Sequence, residues 1–160
     1  MNTTTILVGL GLIGVLALIW WYKYYSIKPR KKKEVKYISG FPDLTAIEFD
    51  FYDALNRYAP NDLILDRIAS DQARTFANYC DALKIKANSH TGIGNRMYAL
   101  QTLGATSVSE IYAGGYRTMK TSIKRLKESQ SHNRTMLGNY THIGVAVVNK
   151  HYVAIYFNIE

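Results

Sequence analysis

Four histidines carry most of the chemistry this chain could perform: His90, His132, His142 and His151. An imidazole can act as a general base, a proton shuttle or a metal ligand near neutral pH. His90 stands in Ser89-His90-Thr91-Gly92, and His132 in Ser129-Gln130-Ser131-His132-Asn133. Each segment directly follows a predicted helix, and loops between elements carry sites more often than cores do. His151 falls at a predicted hairpin turn and is expected to be solvated. His142 opens a predicted strand and is expected to be structural. No spacing matches HExxH or a Cys/His zinc motif. G-x-S-x-G and GxxxxGK[ST] are both absent, and Gly92-Ile93-Gly94 is too short for a nucleotide loop. The single cysteine, Cys80, excludes an internal disulfide, a multi-cysteine zinc finger and an iron–sulfur site.

Residues 44–160 must supply the elements that position these side chains. Leu44, Ile47, Phe51, Ala54, Leu55 and Tyr58 form one helical stripe, with Thr45 and Glu48 spaced as a capping box. Pro60-Asn61-Asp62 ends that helix. Asp66 is placed to cap a second, with Ile68, Ala69, Ala73, Phe76, Ala77 and Cys80 facing inward. A short third helix is expected over 95–103, stopping at Gly104. Val108–Tyr112 reads as extended, and Gly114-Gly115 as a turn. Tyr116–Glu128 reads as a helix with Met119, Ile123 and Leu126 on one face. Ile143–Val148 and Tyr152–Phe157 are β-branched and aromatic runs joined at Asn149-Lys150, the pattern of an antiparallel hairpin. The order predicts an α+β fold: a small antiparallel sheet covered by helices.

The formal charge of +8 is unevenly placed. Residues 1–22 hold no charged side chain, and 23–36 hold seven bases and one acid. Residues 37–160 carry 13 Lys and Arg against 11 Asp and Glu, a net of +2, so no global nucleic-acid partner is expected. Residues 1–25 have the length and apolarity of one transmembrane helix. Trp20, Trp21 and Tyr22 would sit at its interface, and Lys31, Lys32 and Lys33 among anionic headgroups of the lipid bilayer. An uncharged start and a bulky aromatic exit argue against a cleaved signal peptide. Residues 26–43 read as a basic juxtamembrane linker.

Residues 44–157 resemble the CAP superfamily of cysteine-rich secretory, antigen 5 and pathogenesis-related proteins, in the bacterial SCP-like form. Four segments carry the match, in family order. Leu65-Asp66 through Phe76-Ala77 is similar to an early L-x-x-D-x-x-L-x-x-x-A helix. Ser89-His90-Thr91-Gly92 is similar to an S-H-T/D-G loop. Ser109-Glu110-Ile111-Tyr112-Ala113-Gly114-Gly115-Tyr116 is similar to G-E-N-I-A-x-G-Y. Leu126 through Leu137, then Tyr140 through Ala146, are similar to W-x-x-S-P-G-H-R-x-x-L-L followed by F-T-x-I-G-V-G. Ser109, Ile111, Leu126 and Gln130-Ser131 depart from those patterns.

The resemblance implies an α-β-α sandwich with a cleft lined by His90, Glu110 and His132. Ser129 stands where many eukaryotic members have a second glutamate, and Glu128, offset by one, is expected to point elsewhere. His90, His132 and Glu110 would make a half-open site for a divalent ion such as zinc, completed by water. The other reading is a polar cleft held by His–Glu hydrogen bonds, without metal. The family implies a binding or interaction module more readily than an enzyme. The expected function is that of a single-pass membrane protein whose CAP domain recognises a lipid, a cell-envelope ligand or another membrane protein. Two alternatives stand beside it: an envelope hydrolase using the His/Glu cleft, and a membrane protein of a lipid-containing bacteriophage virion. The basic collar favours a cytoplasmic head. The family favours an extracytoplasmic one, and the expectation taken here is an extracytoplasmic or virion-enclosed head.

Overall fold

A computed structural model of the chain describes residues 43–85 and 89–159. The expected membrane helix at 1–25, its interface residues Trp20, Trp21, Tyr22, Lys31, Lys32 and Lys33, and linker residues 26–42 lie outside the described residues. Among those described, no helix is long and apolar enough to cross a membrane.

Helix α1 spans Ala46–Tyr58 and begins at the expected capping box. Thr45 donates its backbone N–H to Glu48 Oε2 at 2.9 Å, and Glu48 returns its own N–H to Thr45 Oγ1. The buried face is rotated from the expected stripe. It runs through Glu48, Phe51, Tyr52, Leu55 and Asn56, while Ile47 is exposed. The buried Glu48 carboxylate explains the rotation. It accepts from Val147 N–H and from Arg74, tying α1 to two other elements.

A two-residue strand β1, Ile64–Leu65, was not expected. Asp66 then caps helix α2, Arg67–Ala82, by accepting from the Ala69 N–H at 2.7 Å. The predicted inward residues of α2 are buried, except Ile68, which is exposed. Helix α3 covers Ile93–Gln101, and strand β2 runs over Ala105–Gly114. Thr118 caps α4, Met119–Glu128, and α5 follows at Gln130–Met136. Strands β3, His142–Val148, and β4, His151–Ile159, close the chain as the expected hairpin.

The sheet is mixed, with order β1-β3-β4-β2. β2 and β3 pair antiparallel with the central β4, but β1 pairs parallel with β3, which corrects the expected all-antiparallel sheet. The reason is local: two residues between α1 and α2 suffice to add a parallel edge, too short to show any hydrophobic period.

Alternation along the central strand splits the core into two layers. Tyr152, Ala154 and Tyr156 face α1, α4 and α5, packing with Phe51, Leu126 and Met136. Val153, Ile155 and Phe157 face α2 and α3, packing with Ala73, Phe76 and Leu100. This is the expected α-β-α sandwich. Close packing of α2 on β3 depends on Gly144, because a Cβ there would lie 2.2 Å from the Ala69 carbonyl carbon and 2.3 Å from Ser70 N.

Candidate functional site

Glu110 is the centre of the site. It sits midway along the edge strand β2, and its side chain is 1% exposed. A carboxylate so enclosed needs compensation, and Arg96 on α3 supplies it. Arg96 Nε donates to Oε2 at 2.7 Å and Nη2 to Oε1 at 2.8 Å, a bidentate grip. The remaining Nη1 donates to the Thr91 carbonyl at 2.9 Å, and the guanidinium carbon lies 3.8 Å over the Phe76 ring. Arg96 therefore holds both the carboxylate and the loop that carries His90. Nothing in the sequence singled Arg96 out. A basic residue in a short helix has no motif, and its partner lies 14 residues away on another element.

His90 Nδ1 is 2.9 Å from Glu110 Oε1. The Glu110 carboxylate accepts from Arg96 and from the imidazole alike, so Nδ1 carries the proton and donates it. That leaves the Nε2 lone pair of His90 pointing away from Glu110. His132 Nε2 lies 3.4 Å from that atom, with the two ring centroids 5.6 Å apart. His132 is on helix α5 rather than in the expected loop, because α4 and α5 are joined by Ser129 alone. Burial pushes the His132 imidazolium pKa below its ordinary value, and the neighbouring His90 adds to the effect.

Sequence and structure agree in bringing His90, Glu110 and His132 together from three elements. They differ on what the three can hold. Glu110 and His132 occupy opposite nitrogens of His90, so the three side chains form a line and do not converge on one point. Among the described residues, no group of three or more His, Cys, Asp and Glu could hold a metal ion. Within the expected metal set of His90, His132 and Glu110, the Glu110 carboxylate is engaged by Arg96 and by Nδ1. The two Nε2 atoms alone fit a zinc-type ion. Two nitrogens each about 2.0–2.1 Å from a tetrahedral ion stand roughly 3.4 Å apart. In that arrangement Glu110 would be the carboxylate behind a ligand histidine, fixing its tautomer.

Ser129 does share a cavity wall with His132. That cavity, about 210 Å³, is also lined by Tyr112, Tyr116, Arg125 and Glu128. The Ser129 hydroxyl bonds Ser131 at 3.3 Å and does not reach either imidazole. Glu128, expected to point elsewhere, lies in the wall beside Ser129 and pairs with Arg125 and Lys124.

The other two histidines lie apart from the cleft. His142 is buried, stacks on Phe157 and bonds Thr141 Oγ1 through Nδ1 at 2.7 Å, in line with a structural role. His151 is not the solvated residue expected at a turn. It is 5% exposed, lies parallel to the Tyr112 ring and bonds its hydroxyl at 2.7 Å. The cause is the docking of the β3–β4 turn on the end of α2, where Asn149 donates to Asp81.

Comparisons with known proteins bear on the fold that carries these residues. Residues 61–157 match the family model "CAP: Cysteine-rich secretory protein family". An extracellular SCP-domain protein of Bacillus anthracis superposes with a TM-score of 0.59 at 18% identity, over 69% of this chain and 40% of its own. A cysteine-rich secretory protein of Staphylococcus aureus gives 0.56 at 14% identity, over 69% and 38%. The chain thus spans well under half the length of these two. An outer surface protein of Borrelia burgdorferi gives 0.61 at 15% identity, over 76% of this chain and 99% of its own. No curated protein sequence matches. With most of the described head covered by the family model and the same sandwich in all three structures, the chain belongs to the CAP, or cysteine-rich secretory protein, family.

Proposed function

We propose that this protein is a single-pass membrane protein that displays a CAP domain as a binding module at an envelope surface. The observation that carries the binding half is the closed polar line Arg96–Glu110–His90–His132. Among the described residues, neither imidazole is hydrogen-bonded to a hydroxyl or thiol, so no activated nucleophile faces the cleft. The groups that remain available to a ligand are two imidazole edges and the cavity beside Ser129. Such an arrangement recognises a ligand by hydrogen bonding or through a shared ion. The membrane half rests on the charge-free run of residues 1–22 and the basic collar that follows. The Bacillus protein is extracellular and the Borrelia protein an outer surface protein, which favours an extracytoplasmic head.

The test combines fractionation with turnover. The full chain should stay with membranes through high salt and alkaline carbonate and leave them only in detergent. Detergent-purified protein should not cleave denatured casein or peptidoglycan. Release by carbonate removes the anchor. Cleavage that is lost in both His90→Ala and His132→Ala, with the circular dichroism spectrum unchanged, replaces the binding reading with the hydrolase.

A further inference from the structure

The near-neutral total of the head conceals a separation of charge. Residues 43–116 hold six bases and nine acids, a net of −3. Residues 117–134 hold six bases and one acid, a net of +5 within 18 residues. Those six are Arg117, Lys120, Lys124, Arg125, Lys127 and Arg134, and all are exposed. Lys120, Lys124 and Lys127 follow at i, i+4 and i+7, so they share one face of α4. That face lies opposite Ser122 and Leu126, which α4 buries. Glu128 pairs with Lys124 and Arg125, and Lys127 sits 3.7 Å over the Tyr58 ring. Arg117, Lys120 and Arg134 form no ion pair among the described residues.

We infer that α4, with Arg117 just before it and Arg134 in the last turn of α5, forms a basic ridge that docks the head on an anionic phospholipid surface. The inference builds on the membrane-protein reading above and extends it to the orientation of the domain. Basic side chains within a Debye length of a negative bilayer are attracted individually, and their effects accumulate. Asp71 and Asp81, on α2 in the layer across the sheet from α4, are repelled by the same field, which favours the orientation with α4 toward the bilayer. Arg125, about 100° round α4 from Lys124, lines the wall of the His132 cavity, so the docked helix is also a wall of that cavity. A nucleic-acid partner fits less well. Single strands are held by exposed aromatic platforms between the basic groups. Among the described residues, the exposed large aromatics, Phe49, Tyr79 and Tyr98, belong to α1, α2 and α3.

The test uses the full chain, carrying an environment-sensitive dye on Thr121→Cys, an exposed position on α4; the native Cys80 is 0% exposed and stays unlabelled. The protein is reconstituted in vesicles of phosphatidylcholine, alone or mixed with phosphatidylglycerol. In the mixed vesicles the dye should shift to the blue, and its quenching by aqueous iodide should fall about threefold, an effect reversed by high salt. Lys120→Glu combined with Lys124→Glu should abolish the difference while leaving the far-ultraviolet spectrum unchanged. Equal quenching in both vesicle types overturns the ridge. So does protection of the dye by a single-stranded oligonucleotide when phosphatidylglycerol gives none. Flotation separates the two readings: a chain that fails to float with pure phosphatidylcholine has lost its anchor, whatever the ridge does.

Discussion

Glu110 and His90 meet through Nδ1 of the imidazole, at 2.9 Å, and that one bond decides what His90 shows to the cleft. A carboxylate on Nδ1 fixes the proton there. The lone pair then lies on Nε2, 3.4 Å from the Nε2 of His132. His132 can donate to it in the free protein, or both nitrogens can turn a lone pair toward an ion between them. Two imidazolium charges at that distance would repel strongly, in keeping with the lowered pKa of His132.

The cleft should therefore bind zinc weakly, through two histidines and not three residues. Calorimetry on detergent-solubilised protein should show binding that His90→Ala and His132→Ala each abolish. Glu110→Gln should retain binding but weaken it by about 10–100-fold, the usual effect of removing a carboxylate behind a ligand histidine. A Glu110→Gln variant as silent as the histidine variants would restore Glu110 as a direct ligand.

Arg96 makes a sharper claim on stability. Its side chain is 10% exposed and that of Glu110 1%, so the pair is effectively out of water. Removing one partner of a buried pair leaves an uncompensated charge and costs about 3–5 kcal/mol. Arg96→Met should show that loss in urea denaturation. Arg96→Met combined with Glu110→Gln should recover most of it, since no buried charge is left unpaired. A single variant as stable as the parent would mean that water already reaches Glu110.

Much of this architecture was legible because it is local. The Thr45–Glu48 box, the Asp66 cap and the hairpin at Asn149-Lys150 each fit within a few residues, and each is where the sequence placed it. The rest depends on partners distant in the chain. Glu48 is buried because Arg74 and the Val147 N–H await it, 26 and 99 residues away. His151 is buried because α2 ends beside its turn. His90, Glu110 and His132 could be grouped only through family resemblance. Even so, the resemblance did not show which nitrogen faces which neighbour, and that detail sets Glu110 behind His90, on the side away from His132. The ridge was hidden differently: a count over residues 37–160 averages its charge away.

Acid should destabilise the head through its histidines. Burial lowers the pKa of His132, His142 and His151, and in each it is the largest cause. Asp66 and Asp81 act in the opposite direction on the latter two, without reversing it. Unfolded, each imidazole titrates near its ordinary value of 6.5. Between that value and the lower folded ones, the unfolded chain binds more protons, so stability rises with pH. It is complete above about pH 7 and declines as pH falls through 6.5 and below. His142→Phe provides the control, because His142 Nε2 is buried with no partner among the described residues and the ring already stacks on Phe157. The melting temperature of that variant should fall less between about pH 7 and pH 5 than that of the parent. An identical decline would exclude His142 from the effect.

In the proposed single-pass arrangement, the side of the membrane on which the head lies decides which ligands it can meet. Two arguments oppose each other. Seven bases within residues 23–36 favour retention of that flank on the cytoplasmic side. That bias is statistical and acts on short flanks during insertion. The proposed role at an envelope surface favours the opposite side. Cys80 cannot report the answer, because it is fully enclosed by α2 and its neighbours, and burial raises its pKa. Lys150 can, because it is exposed at the tip of the β3–β4 hairpin. A Lys150→Cys variant should react with a membrane-impermeant maleimide in intact cells. The same variant, silent in intact cells and labelled only after lysis, would place the head inside. The envelope ligand would then have to give way to a partner on the cytoplasmic face.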